Sequence, residues 1–147
     1  MKTIAMFLLI GALVAAAPSV ASAQTAPRAQ AAERPAFKAS KLTRAEFDAL
    51  RANPSRLLVL DVRRPDELTS IGGFGEYLSI QAADLEKSLA WIPKDRTIVT
   101  VSNHAARAGR AADLLSSKGF KVAGAVGADT YEKDGGKIAH IKAPAKE

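Results

Sequence analysis

The 147-residue chain contains no cysteine. That absence excludes disulfide staples, thiolate nucleophiles and soft-metal ligation by sulfur. Histidine is nearly absent too. His104 and His140 lie 36 residues apart with no motif between them, so no metal site is expected. No apolar run is long enough to span a bilayer comfortably. The longest, Ile4–Ala17, has 14 residues, where about 20 are needed. There is no Gly-x-Ser-x-Gly elbow and no internal repeat. A basic folded face is missing as well. The net charge is +6, yet residues 42–136 hold 13 basic and 13 acidic side chains. The excess sits in Lys2, in residues 24–41 and in residues 137–147. A nucleic-acid partner is therefore not expected, because such proteins concentrate basic charge on the fold itself.

The first 23 residues read as a secretory signal. Lys2 precedes the apolar run, Pro18 follows it, and Ala21-Ser22-Ala23 is a small-x-small cleavage site. Cleavage after Ala23 leaves 124 residues, enough for one domain with its own core. The product is expected in the periplasm or outside the cell, with no membrane association after cleavage. Residues 24–41 are rich in Ala, Gln, Pro and charge and read as a flexible linker. Residues 42–136 form the expected domain, and residues 137–147 a basic tail.

Within the domain, strands and helices alternate. Thr43-Arg44-Ala45-Glu46 is a capping-box pattern opening a short helix with Phe47, Leu50 and Ala45 inward. Leu57–Val62 is a continuous apolar run, as a strand buried on both faces requires. Pro65–Leu68 predicts a single helical turn, Tyr77–Ile80 a short strand, and Ala83–Ile92 a helix packing Leu85, Leu89, Trp91 and Ile92. Arg96–Val101 predicts the next buried strand. A helix follows over Arg107–Lys118, its Ala108, Ala111, Ala112 and Leu115 at helical spacing, and Gly119 ends it. Lys121–Val126 is the last predicted strand. This order argues for an α/β domain with a mostly parallel sheet.

Ligands of such sheets sit beyond the carboxyl ends of the strands. The turn Ser102-Asn103-His104-Ala105-Ala106-Arg107 occupies that place. A tight turn into a helix aims backbone N–H groups at one spot, and the helix end adds partial positive charge. Arg107 has a forked donor geometry suited to oxyanions. A thiol at Ser102 would be held there as thiolate; a hydroxyl titrates too high for that. His104 is placed to act as a base for Ser102, although groups two apart in a tight turn usually diverge. Asp61 can hydrogen-bond the loop or cap its own strand, and Arg63 and Arg64 can form a basic lip. Arg110 reads as a solvated residue or a partner of Asp113, and Tyr131 as core or as a wall of the site.

From Leu57 to Tyr131 the chain resembles the rhodanese-like domains. The matching residues are Leu60-Asp61-Val62-Arg63 with Pro65-Asp66-Glu67, the apolar strand before Ser102, the loop ending in Arg107, the helix to Gly119-Phe120, and the Gly127–Tyr131 segment. The resemblance implies a single domain with a five-stranded parallel sheet flanked by helices. It implies sulfurtransferase chemistry in members whose loop begins with a cysteine that carries a persulfide. That position is Ser102 here. The glycine usual at the fourth loop position is Ala105, and a Gly-His-Ile element is replaced by Ile71-Gly72-Gly73-Phe74. The six-residue loop is the sulfurtransferase size; related phosphatases use seven. The expectation is an exported pseudoenzyme without cofactor or metal. Its loop, Ser102 to Arg107, supported by Asp61 and Arg63, would bind thiosulfate, sulfate, phosphate or a protein partner. The alternative is a thiosulfate sulfurtransferase-type enzyme acting without a thiol of its own. Export predicts a mature N-terminus at Gln24; N-terminal sequencing of the secreted product should read Gln-Thr-Ala-Pro, and an intact Met1 on exported protein would contradict it.

Overall fold

The computed structural model describes residues 37–140. The expected signal peptide, most of the expected linker and the last seven residues lie outside this range. Four strands, β1 (Leu57–Asp61), β2 (Leu78–Ser79), β3 (Thr97–Ser102) and β4 (Val122–Gly127), form one parallel sheet in the order β2-β1-β3-β4. The sheet thus has four strands rather than the five expected. The fifth position, beside β4, is taken by a single parallel bridge at Lys41. There Leu42 N donates to Ala125 O at 2.9 Å and Ala125 N to Ser40 O at 2.8 Å. The packed chain therefore begins before Leu42, and the end of the expected linker is a sheet edge. At the other end, Gly73 and Ala139 exchange two main-chain hydrogen bonds, so the start of the expected tail is docked too.

Parallel strands need helices on both faces, and alternation along each strand divides the side chains between them. On one face α1 (Arg44–Arg51) and α4 (Ala128–Lys133) cover Leu57, Val59, Val99 and Val101. Phe47, Phe74 and Tyr131 meet there edge to face, with ring centroids 5.0–5.6 Å apart. Tyr131 is core, its hydroxyl donating to Asp48 at 2.5 Å. On the other face α3 (Ala106–Ser117) lies on Leu60, Ile98 and Thr100, with Ala108 and Ala112 fully buried. Alanine at those positions lets the helix approach the sheet closely. Gly119, at φ +81°, terminates it in the left-handed conformation.

Several local expectations differ from what forms. α2 (Pro65–Ile71) continues beyond its first turn, and Gly72 at φ +92° stops it. The capping box at Thr43 and Glu46 is present, but Ala45 faces solvent. The expected helix over Ala83–Ile92 is a 3₁₀ helix over Glu86–Trp91. A 3₁₀ helix rises about 2.0 Å per residue against 1.5 Å, so few residues carry the chain back along β3. Leu85 and Ile92 still pack inward, whereas Trp91 is 82% exposed rather than in the core. The α4 helix had no strong signal in its six residues.

Phe47 joins both other rings and is wholly buried. Phe47→Ala should lower unfolding free energy by about 3–5 kcal/mol in a urea titration. A loss below about 1 kcal/mol would contradict this placement of the core.

Candidate functional site

β3 ends at Ser102, and its alternation puts Ile98, Thr100 and Ser102 on the face that α3 covers. The Ser102 hydroxyl is therefore directed under the helix, not outward. Its Oγ accepts the Ala108 N–H at 3.1 Å, while Thr100 Oγ1 donates to the Ala108 carbonyl at 2.8 Å. Two strand side chains thus grip the main chain of one residue of α3 on both sides of its Cα. Ala108 is the third residue of α3, whose free N–H is normally satisfied by the N-cap side chain. The N-cap here is Ala105, which has no acceptor to offer. Ser102, buried to 1% exposure, does that work from the strand.

The loop is held from outside by Glu67, the third residue of α2. Its carboxylate accepts Arg107 Nη1 at 2.8 Å and Arg107 Nη2 at 2.5 Å. It also accepts Asn103 Nδ2 at 2.8 Å and the Arg64 N–H at 3.0 Å. Arg107 holds the Glu67 carboxyl at about 2, well below the ordinary 4.5, against a burial effect that would raise it. Glu67 in turn pushes the Arg107 guanidinium up. A second pair, wholly buried, lies behind the first. Arg63 Nη2 and Nε bind the Asp61 carboxylate at 2.7–3.1 Å, and Arg63 Nη1 reaches Asn103 Oδ1 at 3.3 Å.

The expected site residues thus divide. Arg107 belongs to the loop, but both its terminal nitrogens are engaged by Glu67. Arg63 is no lip: it is buried, clamped by Asp61, and braces Asn103 directly through Nη1. Asp61 does not bond the loop directly. Arg64 is exposed and pairs with Asp66 at 2.9 Å. Asp113 accepts from the Lys38 and Ala39 N–H groups rather than from Arg110. Glu67 is the residue that sequence reasoning missed, although Pro65-Asp66-Glu67 marked a helix start with an acid at its third position.

The turn itself consists of main chain. Ala105 sits at φ +64°, the only non-glycine residue at positive φ among the described residues. That conformation strains an alanine and explains why glycine suits the position. Among the described residues, the N–H groups of Asn103, His104, Ala105, Ala106 and Arg107 donate to no acceptor. Gly127 keeps the turn close to β4: a methyl group there would stand 3.0 Å from Asn103 O and 3.1 Å from Ala105 N. His104 diverges from Ser102. Its ring is mostly exposed, and its Nδ1 meets Asp129 Oδ2 at 2.5 Å. Burial raises the Asp129 carboxyl, and the bonds from His104 and the Thr130 N–H outweigh it, so the net direction is down. Among the described residues no base reaches Ser102, and there is no cluster of metal-ligating side chains.

Several solved structures share this fold over most of the described residues. A rhodanese-related protein from Thermoplasma volcanium matches with a TM-score of 0.59 at 23% identity, over 70% of this chain and 98% of that one. The chain has a rhodanese-like fold. Bacillus anthracis CoADR-RHD matches at 28% identity and a TM-score of 0.55, over 65% of this chain but 16% of that one. A thiosulfate sulfurtransferase from Pseudomonas aeruginosa matches at 22% identity and a TM-score of 0.58, over 69% of this chain and 20% of that one. The chain thus spans only a fraction of these last two proteins. No family model and no curated protein matches the sequence. This rhodanese-like domain lacks cysteine altogether, and its loop opens with a serine.

The Glu67 knot has a pH signature. A carboxyl depressed in the folded state stabilises the fold above its unfolded value and loses that contribution as pH falls. Glu67→Gln should cost about 2 kcal/mol at pH 7. The gap from the wild type should close as pH drops from 4.5 toward 2. Chemical denaturation across that range checks it; a gap that stays constant with pH would show that Glu67 is not held as the anion.

Proposed function

We propose that this is an exported, non-catalytic rhodanese-like domain that holds a small oxyanion on the main chain of the Asn103–Arg107 turn. The observation that carries the reading is the run of five N–H groups without acceptors, around a left-handed residue and at the start of a twelve-residue helix. Such a turn favours negative charge through backbone dipoles alone. Side-chain charges add little. Arg107 is neutralised by Glu67, Arg63 by Asp61, and His104 faces Asp129. An anion held by amides only should bind weakly, with a dissociation constant of about 1–10 mM, equivalent to about 3–4 kcal/mol.

Persulfide chemistry needs a sulfur nucleophile, and this chain has none. Ser102 cannot replace it, because its hydroxyl is not ionised at neutral pH and its oxygen serves as a cap for α3. The turn keeps the binding half of the family's loop without the reacting half.

Calorimetry with thiosulfate, sulfate and phosphate tests the reading, with thiocyanate formation from thiosulfate and cyanide measured beside it. Millimolar binding of at least one anion and no thiocyanate above background are expected. Ser102→Cys, which restores the thiol, should raise turnover above the wild type. No heat with any of the three anions would overturn the oxyanion reading. Turnover by the wild type that Arg107→Ala abolishes would overturn the non-catalytic one.

A further inference from the structure

The helix that carries the loop has a glycine where it should be weakest. Gly109 lies inside the first turns of α3, and glycine is the poorest helix former after proline. Its N–H donates to the carbonyl of Ala105, at 2.7 Å, so it closes the turn beneath the strained residue of the loop. A methyl group at Gly109 would stand 2.1–2.3 Å from Cγ, Cδ2 and Cδ1 of Phe37. The Phe37 ring therefore lies directly on the helix backbone, in a notch that no other residue leaves open. One turn further on, Asp113 secures the same segment. Its two carboxylate oxygens accept the N–H groups of Lys38 and Ala39, each at 2.7 Å.

We propose that Phe37–Ala39 is a latch, seated in the Gly109 notch and tied by Asp113, and that its seating fixes the Ala105 turn of the loop. Phe37 is a positioning residue in this account. The ring fills the notch, packs the helix backbone at Gly109, and thereby steadies the Gly109-to-Ala105 hydrogen bond. Two independent features select the latch: an aromatic anchor matched to a missing side chain, and consecutive amides matched to one carboxylate. The proposal goes beyond the oxyanion reading and does not depend on it.

The test uses the exported chain with Phe37→Ala, Gly109→Ala and both together. In an isolated helix, glycine to alanine raises stability. Here Gly109→Ala evicts the ring, so it should lower the thermal midpoint, as Phe37→Ala does, by about 5 °C. In the Phe37→Ala background the same substitution should raise the midpoint. This reversal of sign is the signature of the latch, and Gly109→Ala that stabilises both backgrounds would overturn it. Tryptic cleavage after Lys38 should accelerate at least about tenfold in each single variant, because the amides leave Asp113; an unchanged rate would also overturn the latch. Hydrogen exchange separates positioning from mere packing. Amides of Ala105–Gly109 should exchange faster in Phe37→Ala and recover in Phe37→Leu, which refills the notch. Exchange there that is unmoved by Phe37→Ala would overturn the positioning role, whatever the anion titrations give.

Discussion

One carboxylate organises the loop. Glu67 accepts four hydrogen bonds from three elements: the start of α2, the Asn103 side chain and the Arg107 guanidinium. Charge-assisted bonds of this kind are roughly twice as strong as neutral ones, and the Arg107 pair is bidentate. Without it, Arg107 would be a free cation and Asn103 would be held by Arg63 alone. With it, the turn between β3 and α3 is fastened at its second and last residues, and the amides between donate to no acceptor among the described residues. In the proposed oxyanion reading, affinity would thereby be set by the backbone, not by a mobile arginine.

The serine at the head of the loop fits the same logic. In a strand whose even-numbered residues face α3, position 102 can reach the third N–H of the helix. An alanine at the N-cap cannot cap, so the hydroxyl of Ser102 takes over that bond, and Thr100 takes the carbonyl of the same residue. A hydroxyl at position 102 therefore leaves the joint between strand and helix satisfied. Among the described residues no buried side-chain polar atom lacks a partner. The strain retained at Ala105 marks the turn as held in shape by its surroundings.

Much of this was legible in the sequence because it is local. The apolar runs at Leu57–Val62 and Thr97–Val101 announced strands buried on both faces, Thr43 and Glu46 announced a cap, and the alanine spacing of α3 announced a close-packed helix. The loop's place followed from the order of those elements. What was not legible is non-local. Nothing near Arg63 tells that Asp61 would draw it wholly inside, or that Glu67 would reach 40 residues along the chain to Arg107. Trp91 fits an inward face only if its segment is α-helical; the 3₁₀ pitch rotates it to solvent. The docking of residues 37–41 escaped a compositional reading, since one phenylalanine among alanines and lysines carries no periodic signal until its partner, Gly109, is brought beside it.

The most direct measurement is a sulfate titration followed by amide proton and nitrogen shifts on uniformly labelled protein. The account predicts that the Asn103–Arg107 amides move together and saturate with one millimolar constant, while the Arg107 Nη–H signals stay with Glu67. Shifts confined to surface lysines and arginines, with the loop amides unmoved, would contradict it.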